Sequence, residues 1–173
     1  DNTIFSRSPF AQEFEEIATG EQFVVVTNHL KSKGSCPTDG SLNEDQLDGQ
    51  GCWNLLRVQQ AEALLTFINT LLVPLDEDVL VIGDLNAYGA EDPVATLTTG
   101  GLINQIAALV PEADRYTYVF DGSAGYLDHA LSTVAVSAEI TDVALWHINA
   151  DEPSVIDYNT EYKDPAASPS SPD

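Results

Sequence analysis

The chain has 173 residues, with 6 basic against 28 acidic side chains and a formal net charge of −22. Its hydrophobic fraction of 43% is enough for one domain with a sizeable core. The acidic balance argues against binding a polyanion through a basic patch, so a nucleic-acid partner needs metal ions and salt for neutralisation. No apolar run approaches the length of a membrane-spanning helix, and we therefore expect no membrane insertion.

The first half of the chain is typical of an α/β crossover unit. Two apolar segments around a turn at 19–21 predict a β-hairpin over residues 10–28. A polar loop over 34–53 precedes a predicted helix with Asn54 as its N-cap. The apolar run Val79–Ile82 then predicts a strand buried on both faces. The helical periodicity predicts one apolar face, with three polar side chains away from it. The apolar positions are Leu55, Val58, Leu65, Ile68 and Leu72, and the polar ones are Arg57, Gln60 and Glu62.

In the second half, shorter elements are predicted. Two short helices are expected over 94–97 and 102–110. A hairpin is expected between 116–120 and 126–132, followed by a last strand over 140–148. Residues 164–173 are rich in Pro, Ser and Ala and predict a disordered tail or linker.

Cys36 and Cys52 both lie in the polar loop, without the spacing of a zinc site. A disulfide is the economical interpretation, and two free thiols are the alternative. A disulfide would add about 3 kcal/mol of stability and indicate an oxidising compartment, hence secretion or a periplasm. The loop residues Asp39, Asn43, Asp45 and Asp48 offer oxygen ligands for Ca²⁺, but their spacing does not match the EF-hand pattern.

Polar side chains follow three of the predicted strands. His29 follows the apolar strand over 23–27, Asp84 and Asn86 follow Val79–Ile82, and Asp128 lies in the strand over 126–132. If these strands are neighbours, the four groups converge on one rim of the sheet. Residues i and i+2 of an extended chain point to the same side, so Asp84 and Asn86 are expected to leave the strand together. The alternative for this pair is an Asx-type turn.

The chemistry of these residue types is suited to phosphate esters. Asp84 offers a hard anionic oxygen for a cation such as Mg²⁺, and Asn86 a neutral donor and acceptor. The imidazole of His29 is suited to proton transfer near neutral pH. The sequence contains no Gly-x-Ser-x-Gly elbow, no P-loop and no His-Glu-x-x-His motif, so those chemistries lose support.

Three segments, in this order, resemble the endonuclease/exonuclease/phosphatase superfamily: TNHLKS at 27–32, GDLNA at 83–87 and YLDHALS at 126–132. Further segments resemble the large secreted nucleases of bacteria that degrade extracellular DNA. These are KGSCP at 33–37, GQGCWN at 49–54, YVFDG at 118–122 and WHINADEP at 146–153. The resemblance extends from about residue 4 to residue 163.

The resemblance implies a two-sheet β-sandwich flanked by helices, the four-layer arrangement of this superfamily, incomplete at both ends. It implies metal-dependent hydrolysis of phosphodiester bonds, with Mg²⁺ as cofactor and Ca²⁺ or Mn²⁺ as alternatives. It also implies a nucleic-acid partner, DNA before RNA, and a bacterial protein that is secreted, periplasmic or on the cell surface. No protein partner is inferred.

The resemblance also assigns roles to residues. His29 matches the histidine that contacts the scissile phosphate or assists the leaving oxygen. Asp84 matches the aspartate that binds metal or aligns the nucleophilic water, and Asn86 the asparagine that holds the phosphate. Asp128 matches an aspartate that supports the cluster. Lys31, beside the histidine, is a candidate for contact with a phosphate oxygen.

Other side chains are expected to have structural roles or to keep two interpretations open. His129 follows Asp128 in a strand context, so we expect a partly buried strand residue rather than the catalytic base. His147 is expected to pack beside Trp146. Tyr88 and Trp53 are candidates for stacking on bases, with packing in the core or loop as the alternative.

The chain departs from the family pattern at both ends. The family's early Asn and metal-binding Glu lie before the strand that resembles 4–7, and its closing Ser-Asp-His motif should follow the region around Tyr162. We therefore expect a piece of a longer protein, in which 1–163 form the central and C-terminal part of the domain. We expect little activity from this piece alone. The alternatives are a phosphomonoesterase, a lipid phosphodiesterase and a non-catalytic truncated domain.

Overall fold

The computed structural model describes residues 4–120 and 122–152. The tail predicted over 164–173 lies outside the described residues. The elements in chain order are β1 (Phe10–Glu15), β2 (Gln22–His29), α1 (Asn54–Phe67) with a π-helical extension (Ile68–Leu72), β3 (Val79–Asp84), α2 (Asp92–Thr99), β4 (Ile103–Asn104), α3 (Gln105–Leu109), a 3₁₀ turn (Glu112–Asp114), β5 (Tyr118–Phe120), β6 (Ser123–Gly125), β7 (Asp128–Ser132) and α4 (Val134–Ser137).

Five strands form the main sheet, in the order β1-β2-β3-β7-β4, and β5 and β6 form a second sheet. β1 and β2 pair antiparallel, which confirms the predicted hairpin. β2 and β3 pair parallel on either side of α1 in the chain, which confirms the crossover unit. β7 pairs antiparallel with β3. Two sheets flanked by helices confirm the predicted α/β fold class.

Two predictions for the second half are wrong. The segment 126–132 does not pair with 116–120, since β7 pairs with β3 and β5 pairs with β6. β7 buries Leu131 and His129 against the central layer, which a surface hairpin cannot offer. The predicted last strand over 140–148 contains no strand, although Val143 and Leu145 still pack against a small core cluster.

The main sheet has two unlike faces, because successive side chains along a strand alternate. On one face, which we call the buried face, Val26 of β2, Val81 of β3 and Leu131 of β7 are fully buried in one cluster with Leu64 of α1. On the other, the open face, Val25, Leu80 and Ile82 are only half-buried. The open face ends at β2 and β3 in His29 and Asp84, which are register partners.

Helix α1 packs with a different set of residues from the one predicted. Arg57 and Gln60 are fully buried, whereas Leu55 is exposed. The guanidinium of Arg57 donates to the carbonyls of Lys31, Cys52 and Gln50. Gln60 accepts from the backbone N–H of Lys31. Burial of these polar groups is tolerated because loop backbone satisfies them, and apolar periodicity cannot detect that.

The start of α1 also differs from the prediction. Asn54 is the first helical residue, and Trp53 occupies the N-cap position in a left-handed conformation. The Asn54 amide donates to the Asp92 carboxylate at the start of α2 instead of capping α1. This bond ties together the two helices that pack on each other.

None of the helices within 4–120 and 122–152 has the length and apolar character that crossing a bilayer requires.

Candidate active site

The polar groups predicted from three strands meet at one end of the main sheet. His29, Asp84 and Asp128 occupy adjacent register positions, with His29 opposite Asp84 and Asp84 opposite Asp128. The Nε2 atom of His29 lies 3.4 Å from Oδ2 of Asp84. The carboxylate therefore lies next to the imidazole, and the condition under which these groups converge, that the three strands are neighbours, is met.

Gly83 sets the close approach of β2 and β3 at this end. Its φ angle is +128°, a conformation that L side chains rarely adopt. A Cβ atom there would lie 2.1 Å from the carbonyl oxygen of Asn28. Only glycine fits, so Gly83 allows the two strands to pair where His29 and Asp84 meet.

After Asp84 the chain turns instead of continuing as a strand. Oδ1 of Asp84 accepts from the backbone N–H of Asn86 at 2.7 Å, and Asn86 has φ +48°. The Asx-turn interpretation is therefore correct, and the extended alternation on which we based their common direction does not apply. Both side chains nevertheless line the same cavity. The Asn86 amide donates to the carbonyl of Leu30, which fixes its orientation and leaves its second N–H for a ligand.

Burial has the largest effect on the Asp84 carboxyl and raises its pKa. The Asn86 N–H and His29 act in the opposite direction, and the neighbouring Asp128 raises the pKa further. A carboxylate that is costly to ionise beside a second carboxylate is the environment in which a cation or a proton donor binds favourably.

The cavity beside these residues has a volume of about 600 Å³. Its polar wall includes Asp84, Asn86 and Asp128. Thr117 also lines it and donates to Oδ2 of Asp128 at 2.9 Å, so this carboxylate is held in place. His29 does not line the cavity itself, but its imidazole lies next to Asp84, which does. A second wall is aromatic and is formed by the three rings of Tyr88, Tyr118 and Phe120.

Lys33, which the sequence did not single out, is the basic residue that lines the cavity. Its ammonium pairs with Glu91 and lies 4.9 Å from the centroid of the Tyr88 ring. The predicted Lys31 is placed differently, with its ammonium 4.5 Å from the centroid of the Trp53 ring. The sequence could not show which of the two lysines faces the cavity, because residues i and i+2 of an extended chain point to the same side. The residue that distinguishes Lys33 is its acidic partner Glu91, which lies 58 positions away in the chain.

His129 is buried in its strand as expected, whereas His147 packs on Tyr116 and not beside Trp146, whose side chain is exposed. Nε2–H of His129 donates to the carbonyl of Ala87 at 2.8 Å, and its ring lies 4.7 Å from that of Tyr126. Burial lowers the pKa of His129 to about 4. His147 stacks on Tyr116 with ring centroids 3.7 Å apart.

The cysteine loop is closed by a disulfide between Cys36 and Cys52, which confirms the prediction over the free-thiol alternative. The aspartates of the loop do not form a Ca²⁺ cage. Asp39, Asp45 and Asp48 each accept from the backbone N–H two residues further on, as in Asx turns. Trp53 donates from its ring N–H to the carbonyls of Gly34 and Ser35, so its indole holds the loop.

The donor set of the cavity fits a partial Mg²⁺ site. Mg²⁺ is usually held by one or two carboxylates, with waters and substrate phosphate oxygens as the other ligands. Asp84 offers such a carboxylate, and Asp128 lies opposite it in the register. Within the part of the chain that the structure describes, no group of three or more His, Cys, Asp and Glu side chains is arranged as a complete cage.

No family model and no curated protein sequence matches this chain. Solved structures with the same fold do exist. An endonuclease/exonuclease/phosphatase family protein of Bacteroides thetaiotaomicron has a TM-score of 0.53 at 14% identity, over 73% of this chain and 41% of that one. A mannosyl-6-phosphatase of the same organism has a TM-score of 0.54 at 14% identity, over 73% of this chain and 43% of that one.

An endonuclease/exonuclease/phosphatase of Bacteroides vulgatus has a TM-score of 0.50 at 17% identity, over 73% of this chain and 43% of that one. The chain thus spans about two fifths of the length of these structures. At these identities the likeness concerns the fold, and the sheet that carries His29, Asp84 and Asp128 has the architecture of endonuclease/exonuclease/phosphatase proteins.

Proposed function

We propose that this chain forms part of a metal-assisted phosphoesterase that hydrolyses phosphodiester bonds in nucleic acid, DNA in the first place. The observation that supports this most directly is the convergence of His29, Asp84, Asn86 and Asp128 at one strand end beside a cavity. The shared fold with endonuclease/exonuclease/phosphatase proteins supports the same reaction class. Because the chain spans only part of those structures, the proposal concerns the whole protein to which it belongs.

The side chains divide the work by their chemistry. Asp84 orients the His29 imidazole, which donates a hydrogen bond or a proton to a phosphate or leaving oxygen. The free N–H of the Asn86 amide is available to a phosphate oxygen. Lys33, whose ammonium pairs with Glu91, offers an N–H donor at the cavity wall, and Thr117 holds Asp128. Lys31 remains a candidate for phosphate contact.

Asp84, together with Asp128, would hold the divalent cation. When bound, Mg²⁺ supplies Lewis-acid polarisation of the phosphate and neutralisation of its charge. With a net charge of −22, the chain needs this neutralisation for any nucleic-acid substrate. Ca²⁺ and Mn²⁺ are the alternatives for the same oxygen ligands.

The place of action that we propose is outside the cytoplasm. The disulfide supports an oxidising compartment, either extracellular or periplasmic, because cytosolic thiols are kept reduced. The nuclease resemblance supports extracellular nucleic acid as the substrate.

The test is hydrolysis of supercoiled plasmid and of single-stranded DNA by the 173-residue chain and by the longer protein from which we expect it to derive. We expect the longer protein to cleave with Mg²⁺ and to lose cleavage with EDTA or on His29→Ala, and we expect little cleavage by the 173-residue chain alone. His147→Ala is the matched control, since that imidazole stacks on Tyr116 away from Asp84. Cleavage that survives EDTA would remove the metal from the proposal, and cleavage that survives His29→Ala would remove the site.

A second candidate is hydrolysis of a small phosphomonoester. The cavity of about 600 Å³ has the size of a small-molecule pocket, and one protein of the same fold is a mannosyl-6-phosphatase. Release of inorganic phosphate from sugar or aryl monophosphates, without DNA cleavage, would favour this candidate over the nuclease.

A further inference from the structure

We propose that the β5–β6 hairpin and Tyr88 form a stacking platform for unpaired bases, which selects single-stranded nucleic acid as the ligand of this cavity. This inference rests on the proposed function, since it names the substrate class of the same site. It is drawn from the placement of three aromatic rings that the phosphate chemistry does not use.

Two of the rings belong to one face of β5. Tyr118 and Phe120 are two residues apart in the strand, and their rings lie stacked with centroids 6.2 Å apart and an interplanar angle of 17°. Both line the cavity, and their exposed fractions are 42% and 64%. A three-residue strand thus holds two nearly parallel rings at the cavity, both in contact with solvent.

The third ring is seated on the partner strand. Tyr88 lies against Gly125 of β6 so closely that a Cβ atom at Gly125 would come within 2.6 Å of the ring. The Tyr88 ring therefore occupies the space that the side chain of any residue other than glycine would need at position 125. Tyr88 follows Asn86 by two residues, so the turn that places the amide in the cavity also places this ring.

The cavity therefore has an aromatic wall and a polar wall. Asp84, Asn86 and Asp128 are on the polar side, and the Lys33 ammonium lies 4.9 Å from the Tyr88 centroid between the two kinds of group. A ligand that satisfies both walls carries an anionic phosphate and a flat π-surface in one molecule. A nucleotide within a strand has this combination, and base–aromatic stacking tolerates any sequence because every base has a π-face.

Access to the base faces and charge repulsion both favour single-stranded nucleic acid over a duplex. In a duplex both faces of an internal base are covered by its neighbours, so a protein ring can stack only on an unpaired base. A duplex also carries one phosphate charge per about 1.7 Å of axis, twice the density of one strand. A chain with a net charge of −22 is repelled less by the single strand.

The test is binding by fluorescence anisotropy in Mg²⁺, which supplies the neutralisation that the acidic chain needs, with phosphorothioate probes that resist hydrolysis. The probes are a short oligothymidylate, an abasic strand with the same number of phosphates and a duplex of the same length, all at one fixed salt concentration. We expect the 173-residue chain to bind the oligothymidylate about tenfold or more tightly than the abasic strand, the size of one base stack. The duplex should bind more weakly than the oligothymidylate.

Substitutions then assign the effect to the platform. Phe120→Ala should weaken oligothymidylate binding about tenfold and leave abasic binding unchanged, and Phe120→Trp should restore it. Phe10→Ala is the matched control, because Phe10 on the edge strand β1 is equally exposed, at 63%. Thermal unfolding of each variant checks that the fold is kept.

The outcomes separate this inference from the proposed function. Equal affinity for oligothymidylate and abasic strand, equal effects of Phe120→Ala and Phe10→Ala, or no binding of either strand would overturn the platform. DNA cleavage that depends on His29 would still support the nuclease in each of those cases. Conversely, base-dependent binding together with no phosphoester hydrolysis by the longer protein would support the platform and contradict the proposed function.

Discussion

On the buried face of the main sheet, Val26, Val81 and Leu131 are fully buried and adjoin α1. On the open face of the same strands, Val25, Leu80 and Ile82 are half-buried, and His29 and Asp84 follow at the strand ends. Along each of these strands, side chains therefore alternate between the packed core and the face that carries the candidate site. The core packing and the candidate site thus lie on opposite faces of shared strands, so substitutions on the two faces should have separable effects.

The largest separation is expected for His29→Ala at the end of the open face. Loss of a positioned acid–base group should lower turnover by about 10²–10⁴-fold in an active form of the protein. The exposed imidazole should contribute little to stability, so the free energy of unfolding should change by less than about 0.5 kcal/mol. Steady-state hydrolysis and urea unfolding measure the two quantities, and a large loss of stability would contradict the division between faces.

Arg57→Ala changes a residue of α1, the helix that covers the buried face, and its main effect should be on stability. It leaves the carbonyls of Lys31, Cys52 and Gln50 without their buried donor, which should cost about 3 kcal/mol or more in the free energy of unfolding. The matched control is Arg115→Ala, since the half-exposed Arg115 donates to the carbonyls of Val110 and Ala107. Its loss should cost about 1 kcal/mol in the same urea unfolding assay. Equal costs would mean that burial of Arg57 adds nothing.

His129 adds a pH dependence on the buried face. Its pKa is lowered from 6.5 to about 4 in the folded state, so the unfolded chain takes up the proton first as the solution is acidified. The associated stability is present above pH 6.5 and is lost as the pH falls from 6.5 through about 4, by about 3 kcal/mol in all.

The measurement is urea unfolding of the unmodified chain and of His129→Gln at several pH values. The difference between the two proteins gives the contribution of His129 to the pH dependence, because they share every other titrating group. The variant should show the shallower acid loss between pH 6.5 and 4. Parallel curves for the two proteins would show that His129 is not buried in its neutral form.

The smallest expected effect compares two neighbours in one strand. Val26→Ala on the buried face should lower the free energy of unfolding by about 2 kcal/mol, through lost burial and a cavity. Val25→Ala on the open face should cost about 1 kcal/mol or less, since its side chain is only half-buried. Chemical denaturation of the pair is the measurement, and the reverse order would invert the assignment of the faces.

Much of the sheet and part of the site could be predicted from the sequence, because strand periodicity is a local property. The β1–β2 hairpin and the crossover to β3 follow from patterns within short segments, whereas the pairing of β7 with β3, which brings Asp128 opposite Asp84, does not. The buried polar side of α1 could not be predicted, since Arg57 and Gln60 are satisfied only by loop carbonyls and amides that the fold brings to them. The prediction of 116–120 paired with 126–132 failed for a similar reason, because β7 had a competing partner distant in sequence.

The cavity wall shows the same limit. Lys33 is distinguished from Lys31 by Glu91 and Tyr88, which lie far away in the chain. The rings of Tyr118 and Phe120 gain a role only through the cavity that Asp84 shares with them. Local patterns identify the residues with the chemistry, whereas the neighbours that select among them belong to the tertiary structure.

Gly83 has a consequence for how this protein can change over time. The backbone at His29 and Asp84 has no positive φ angle, so their side chains can be replaced without backbone strain, and variants with a weakened or altered reaction remain accessible one substitution at a time. Any side chain at position 83 meets the Asn28 carbonyl oxygen at 2.1 Å and takes on a φ angle of +128°. A single substitution of Gly83 would therefore separate the His29 imidazole from the Asp84 carboxylate, even in a descendant protein that retains both residues.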